Sequence, residues 1–114
     1  MSKNMYAIPL EIQKEINKKI DVFNKKYMSK SNYKYCAIIK GKFIYLMWQY
    51  EVAGEQKFDK ISRLTYDGNL NDMDFAIFRY SREKYDATAM FPGDNYINGT
   101  LEGAMKAGLK AYDG

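Results

Sequence analysis

The segment that most constrains the fold is Asn32 to Tyr50, because it predicts two β-strands with apolar side chains on both faces. Aromatic and β-branched residues dominate it on either side of Gly41, a composition typical of strands. Gly41 supplies the positive φ that a two-residue hairpin turn needs, as either the first or the second residue of that turn. Both turns place Ile39 and Ile44 on the same face of the hairpin.

The two faces of this hairpin carry different side chains. The better candidate for a core face consists of Tyr33, Tyr35, Ala37, Ile39, Ile44, Leu46, Trp48 and Tyr50. The opposite face consists of Lys34, Cys36, Ile38, Lys40, Phe43, Tyr45, Met47 and Gln49. This second face is too apolar for a plain solvent-exposed surface and too polar for a sealed core. What covers it is the main question that the sequence raises.

The residues before the hairpin predict an amphipathic helix from Pro9 to Met28. Proline suits the first turn of a helix. Apolar residues then recur at spacings of four, four, three and four, which is the pattern of one helix face, as Ile12, Ile16, Ile20, Phe23 and Tyr27. The other side is rich in lysine and glutamate, and we interpret it as the solvent-facing side of a helix that packs on a core.

A second helix is predicted at the end of the chain. Thr100 has the short, oxygen-bearing side chain of an N-cap, and the apolar residues after it fall on one side, as Leu101, Ala104, Met105, Gly108, Leu109 and Tyr112. Gly103 and Gly108 lower the intrinsic stability of this helix. We therefore expect the helix to depend on packing, and its small residues allow close approach to a sheet.

Two or three further strands are predicted between the hairpin and the last helix. A polar connection around Gly54 leads to a third strand at 57–66, and a turn-rich segment then leads to a fourth strand at 73–80. Residues 85–90 are either a short fifth strand or irregular, and residues 91–99 are a loop. The side of the third and fourth strands that meets the helices is left open.

These elements predict one α+β domain over residues 1–114. Connections as short as these favour neighbouring antiparallel strands, because a parallel crossover needs a dozen or more residues. The simplest arrangement is a four- to five-stranded antiparallel meander with the N-terminal and C-terminal helices on one face. The other face of the sheet is then bare.

Composition argues against several kinds of chemistry. The chain contains no histidine, the residue used most often as a general base and as a metal ligand. One cysteine, Cys36, cannot supply the nitrogen and sulfur ligands of a structural zinc site. The phosphate-binding GxxxxGKS/T and dinucleotide-binding GxGxxG patterns are both absent from the sequence. We therefore expect no enzymatic activity, no catalytic residues, no metal and no cofactor.

The sequence predicts a protein that does not enter a membrane. Its longest apolar stretch, residues 43–48, is six residues long, whereas a spanning helix needs about 20. The amino terminus lacks the apolar core of a secretory signal, and a single cysteine forms no internal disulfide. We expect a cytoplasmic location. The net charge of +4 is compatible with a nucleic-acid partner and equally with solubility alone.

The bare face of the predicted sheet is the expected functional surface. We expect a small interaction module that pairs through this face with a second copy in a homodimer, or with another protein. The alternative is a single-stranded nucleic-acid-binding domain, in which aromatic rings stack on bases while lysines and an arginine contact phosphates. The residues expected on the partner-binding face are Lys34, Lys40, Phe43, Tyr45, Met47, Gln49 and an arginine from Arg63 or Arg79.

Overall fold

A computed structural model describes residues 7–113 of the chain. Its elements are α1 (Leu10–Tyr27), β1 (Lys34–Lys40), β2 (Phe43–Val52), β3 (Glu55–Thr65), β4 (Asp74–Arg79), β5 (Lys84–Asp86), a short 3-10 helix (Asp94–Tyr96) and α2 (Leu101–Asp113). The strands form one five-stranded antiparallel sheet in the order β1-β2-β3-β4-β5. The predicted α+β meander between two helices is confirmed. A fifth strand forms, but over Lys84–Asp86 instead of residues 85–90. Residues 1–6 and 114 of the predicted domain lie outside the described range.

Helix α1 is positioned by its apolar face and by one side chain that holds the edge of the sheet. Ile16, Ile20 and Phe23 are buried. The carboxamide of Asn24 acts as a strand partner for β1: it accepts a hydrogen bond from the backbone N–H of Tyr35 at 2.8 Å and donates one to the Tyr35 carbonyl oxygen at 3.0 Å. These bonds satisfy both backbone groups of Tyr35 and fix the end of α1 against the edge strand.

Two tight turns set the register of the first three strands. Gly41, with a φ of 59°, begins the first turn, and Ile39 lies opposite Ile44 as predicted. Ala53 and Gly54, with φ of 51° and 85°, form the second turn. The strands continue up to this turn, so the polar connection predicted around Gly54 is shorter than expected. A two-residue turn with positive φ at both positions matches the twist of the strands that it joins.

A β-bulge in β3 changes which residues share a face. Leu46 lies opposite Ser62, but Met47 lies opposite Lys60, so Ile61 is the additional residue. Ile61 and Ser62 are both buried, at 1% and 0% exposed. An additional residue in one strand shifts the alternation of side chains beyond it by one position.

The core lies between the sheet and the two helices. The predicted core face of the hairpin is confirmed, because its central residues pack with both helices in one cluster that includes Ile16, Phe23, Tyr35, Ile44, Leu46, Trp48, Leu64, Leu101 and Met105. Leu64 lies opposite Phe75, which places Phe75 and Ile77 on the helix side of β4. This pairing answers the question that the sequence left open for the third and fourth strands.

The N-terminus of α2 is held by side chains. The Thr100 hydroxyl accepts a hydrogen bond from the backbone N–H of Gly103 at 3.0 Å, which confirms the predicted N-cap. The Thr100 N–H and hydroxyl donate to Oδ1 of Asn98 at 3.1 and 2.6 Å. A Cβ at Gly103 would meet Asn98 and Tyr96. Gly103 therefore lets the helix approach this loop rather than the sheet.

Gly108 is the glycine that brings α2 close to the sheet. A Cβ on this residue would lie 2.7 Å from Cγ2 of Ile61 and nearer still to the hydroxyl of Tyr35. The Tyr35 hydroxyl donates a hydrogen bond to the carbonyl oxygen of Met105 at 2.8 Å. The close approach therefore places a buried hydroxyl within reach of the helix backbone.

Replacing Gly108 with alanine tests this close approach. In an unconstrained helix, alanine is more favourable than glycine by about 1 kcal/mol. Here we expect the opposite sign, a loss of about 1–3 kcal/mol in the free energy of unfolding, because the added methyl group overlaps Tyr35 and Ile61. Urea denaturation at one fixed protein concentration measures the change.

The control is Lys110→Ala, at an exposed position of the same helix. This change should alter the free energy of unfolding by less than about 0.5 kcal/mol. A Gly108→Ala protein as stable as the wild type would contradict the close packing of α2 on the sheet.

Candidate docking surface

The candidate site is the face of the sheet that is turned away from both helices, termed the open face. Cross-strand pairing places its residues in four rows that run across the strands. The first two rows are Lys40, Phe43, Thr65 and Asp74, and then Ile38, Tyr45, Arg63 and Ala76. The next two rows are Cys36, Met47 and Lys60, and then Lys34, Gln49 and Phe58. Phe78 and Tyr85 lie opposite each other on β4 and β5 and continue this face.

The centre of the open face is partly exposed because the helices pack on the other side of the sheet. Phe43, Tyr45 and Met47 are neither buried nor fully exposed. Ile38 and Phe58 are more exposed, at 49% and 53%. The neighbouring residues of β2 on the helix side are buried. The two sides of β2 thus have different surroundings. On β4, Ala76 and Phe78 of the open face are buried, at 3% and 6% exposed, and Tyr85 and Lys60 lie against the Phe78 ring. The apolar side chains of β1 and β2 on this face stay partly exposed.

The structure separates the two candidate arginines. The residues that it brings together on the open face are Lys34, Lys40, Phe43, Tyr45, Met47, Gln49 and Arg63. Arg79 lies on the other side of β4 with Ile77, which is opposite Ser62. Its guanidinium forms an ion pair with Asp86 at 3.4 Å. Hydrogen bonds from Thr88, with a smaller contribution from Arg79, lower the pKa of Asp86 below its usual value. Arg79 therefore connects β4 to β5 and does not line the open face.

Sequence reasoning missed several residues of this face, above all Lys60 and Tyr85. Strict alternation from Arg63 would place Lys60 on the helix side, because the two are three positions apart. The bulge at Ile61 brings both cations to the same face. Tyr85 joins the face only through the pairing of β5 with β4. Alternation along β4 places Phe78 and Arg79 on opposite sides of the strand, but the sequence does not show which side meets the helices.

Aromatic rings from three strands contact one another on the open face. The ring centroids of Phe43 and Tyr45 are 6.0 Å apart, those of Tyr45 and Tyr85 are 5.7 Å apart, and those of Tyr85 and Phe78 are 5.0 Å apart. Tilted and edge-on pairs at these separations are favourable ring arrangements. Burial raises the pKa of Tyr85, so its hydroxyl is neutral at physiological pH.

Two cations lie against these rings. Cζ of Arg63 is 5.1 Å from the centroid of the Phe43 ring and 5.2 Å from that of Tyr85. Nζ of Lys60 is 5.2 Å from the centroid of the Phe78 ring. Cations within about 6 Å of a ring centre are attracted by its π-electrons. The open face therefore combines apolar surface with positive charge that the rings hold in place.

The single cysteine also lies on this face. Cys36 is partly buried, and this burial raises the pKa of its thiol, an effect that the charge of Lys34 offsets in part. The thiolate is the reactive form of cysteine. A raised pKa lowers the thiolate fraction at neutral pH, so the environment of Cys36 is not that of an activated nucleophile.

Alkylation of Cys36 at different pH values tests this environment. We expect the rate with iodoacetamide to rise along a curve whose midpoint lies above that of an unstructured cysteine peptide. Lys34→Gln should move the midpoint further upward, because it removes a positive charge that favours the thiolate. Lys18→Gln on α1 should leave it unchanged. A midpoint at or below that of the peptide would contradict the burial of the thiol.

The described residues contain no group of three or more His, Cys, Asp or Glu side chains placed to hold a metal ion. Within residues 7–113, none of the helices is long and apolar enough to span a membrane. Comparisons of the chain with protein-family models, with curated proteins and with solved structures give no match.

Proposed function

We propose that this protein is a non-enzymatic interaction module whose partner docks on the open face. The observation that carries the proposal is the position of Phe43, Tyr45 and Met47 at the centre of a sheet face that the helices leave uncovered. Soluble proteins seldom expose a contiguous apolar patch of this kind unless it forms a binding surface. An antiparallel sheet with one solvated face would instead carry mainly polar residues there.

A protein surface, and in the first place a second copy of this chain, is the partner that the composition supports. Aromatic residues, methionine and arginine are enriched at the centres of protein interfaces, whereas lysine is depleted there and lies at the rim. Tyr45, Met47 and Arg63 lie near the centre of the open face, and Lys34 and Lys40 lie on the edge strand β1. A twofold axis uses the same patch on both subunits, so one such face suffices for a dimer.

Light scattering of the purified protein tests self-pairing. We expect a particle of twice the 13.3 kDa chain mass at micromolar concentration. The dimer should hold or tighten as salt rises, because apolar contacts are not screened by ions. Met47→Lys should shift the protein to the monomer, because it adds a charge at the centre of the face.

The matched control is Val22→Lys, which adds the same charge at an exposed apolar residue of α1, on the other side of the sheet. This variant should dimerise like the wild type. A monomeric wild type, or an equal response of the two variants, would count against pairing through the open face.

Single-stranded nucleic acid is the second candidate partner, and the placement of Arg63 and Lys60 among the rings favours it. Sheets that bind single strands combine ring stacking with cations that contact phosphates. Polarisation of a labelled oligonucleotide about 20 nucleotides long tests this. Binding at low salt that weakens steeply as salt rises supports it, and no binding at low salt excludes it. Trp48, 8% exposed on the helix side, reports the core and not this face.

A further inference from the structure

The guanidinium of Arg63 lies against two aromatic rings, but no carboxylate of the described chain forms an ion pair with it. The rings of Phe43 and Tyr85 hold its guanidinium on two sides, at 5.1 and 5.2 Å. Among residues 7–113 it forms no ion pair, and its buried Nε has no hydrogen-bond partner. Guanidinium donors in partly buried sites are normally satisfied by carboxylate or phosphate oxygens. The rings therefore present a cation to an anion that this part of the chain does not supply.

Asp74 is the complementary group on the same face. It is the first residue of β4, it is exposed, and it lies opposite Thr65, one diagonal step from Arg63. Diagonal neighbours in a sheet are about 7–8 Å apart, yet within the described residues neither side chain is paired with the other. The other carboxylate on this face, that of Glu51, lies near the far end of the β2–β3 hairpin.

An unpaired cation and an unpaired carboxylate make one face complementary to itself. In a dimer with twofold symmetry, each contact between two different residues occurs twice. Suppose that a twofold axis lies in the interface and passes between Arg63 and Asp74. Arg63 of each copy then faces Asp74 of the other copy. Sheets packed face to face are about 10 Å apart, a distance that side chains from both sides fill. Both residues belong to β3 and β4, so β1 with Lys34 and Lys40 lies toward the rim.

We propose that the open face binds a second copy of the chain through reciprocal ion pairs between Arg63 of one protomer and Asp74 of the partner subunit. This inference rests on the proposed function and adds the contact that fixes the orientation of the two subunits. Phe43 and Tyr85 flank the guanidinium, and in the dimer the apolar surfaces of the two copies would keep water from it. Water-excluding neighbours of this kind are typical of the charged contacts that contribute most to protein interfaces.

Exchanging the two charges tests the proposal by analytical ultracentrifugation. Arg63→Glu and Asp74→Arg each replace both ion pairs by pairs of like charges, because the symmetry repeats each contact. Alone, each variant should dissociate at concentrations where the wild type is a dimer, with a dissociation constant at least about tenfold higher. An equimolar mixture of the two variants should form a heterodimer, because opposite charges again meet at both positions. One chain that carries both changes should dimerise with itself.

Lys60→Glu is the matched control, because it reverses a charge on the same face that the proposal leaves out of the ion pairs. Alone, it should dimerise like the wild type. Mixed with Asp74→Arg it should combine much less than Arg63→Glu does, because one of the two ion pairs is then replaced by two facing arginines. Emission of Trp48 checks that each variant keeps its core. The milder pair Arg63→Gln and Asp74→Asn provides a second test: each should weaken the dimer, and the double variant should weaken it no further, since both remove one shared contact.

The outcomes separate this inference from the proposed function. A wild-type dimer that Met47→Lys breaks but the charge reversals leave intact would overturn the ion pairs and leave docking on the open face in place. Two folded, monomeric variants that do not combine would also overturn the ion pairs. A monomeric wild type would overturn self-pairing altogether, and oligonucleotide binding by that monomer would support the second candidate partner.

Discussion

Two helices can cover only one side of a sheet, and both helices of this protein pack on the same side. Asn24 fixes α1 to the edge strand through both backbone groups of Tyr35, and Gly108 lets α2 approach until the Tyr35 hydroxyl reaches the helix backbone. One tyrosine thus connects the two helices to the sheet. The apolar side chains on the opposite side of the same strands receive no covering layer from either helix.

The open face differs from a solvated sheet face in where its charges lie. Arg63 and Lys60 lie against aromatic rings instead of extending freely into water. Such placement keeps the cations close to apolar surface while leaving their donors available to a partner. The bulge at Ile61 is part of this arrangement, because it brings the two cations to the same side of β3.

Short-range sequence rules predicted much of the fold and part of the candidate site. The turn at Gly41, the N-cap at Thr100 and the close approach at Gly108 each follow from one residue and its neighbours, and the structure confirms them. The membership of Lys60 and Tyr85 in the open face depends on a bulge and on the pairing of β5, which are set by contacts between distant parts of the chain. The same long-range pairing was needed to place Arg63 and Arg79 on opposite sides of the sheet.

The most direct test of the account compares two methionines that the sheet separates. Met47 lies on the open face, and Met105 lies in the core at 1% exposed. Methionine methyl groups are labelled for NMR and a soluble paramagnetic agent is added. We expect strong broadening of the Met47 signal in dilute protein. The broadening should decrease as the protein concentration rises, because a second copy then covers Met47. The Met105 signal should be sheltered throughout. A Met47 signal as sheltered as that of Met105 in protein that light scattering shows to be monomeric would contradict an open face.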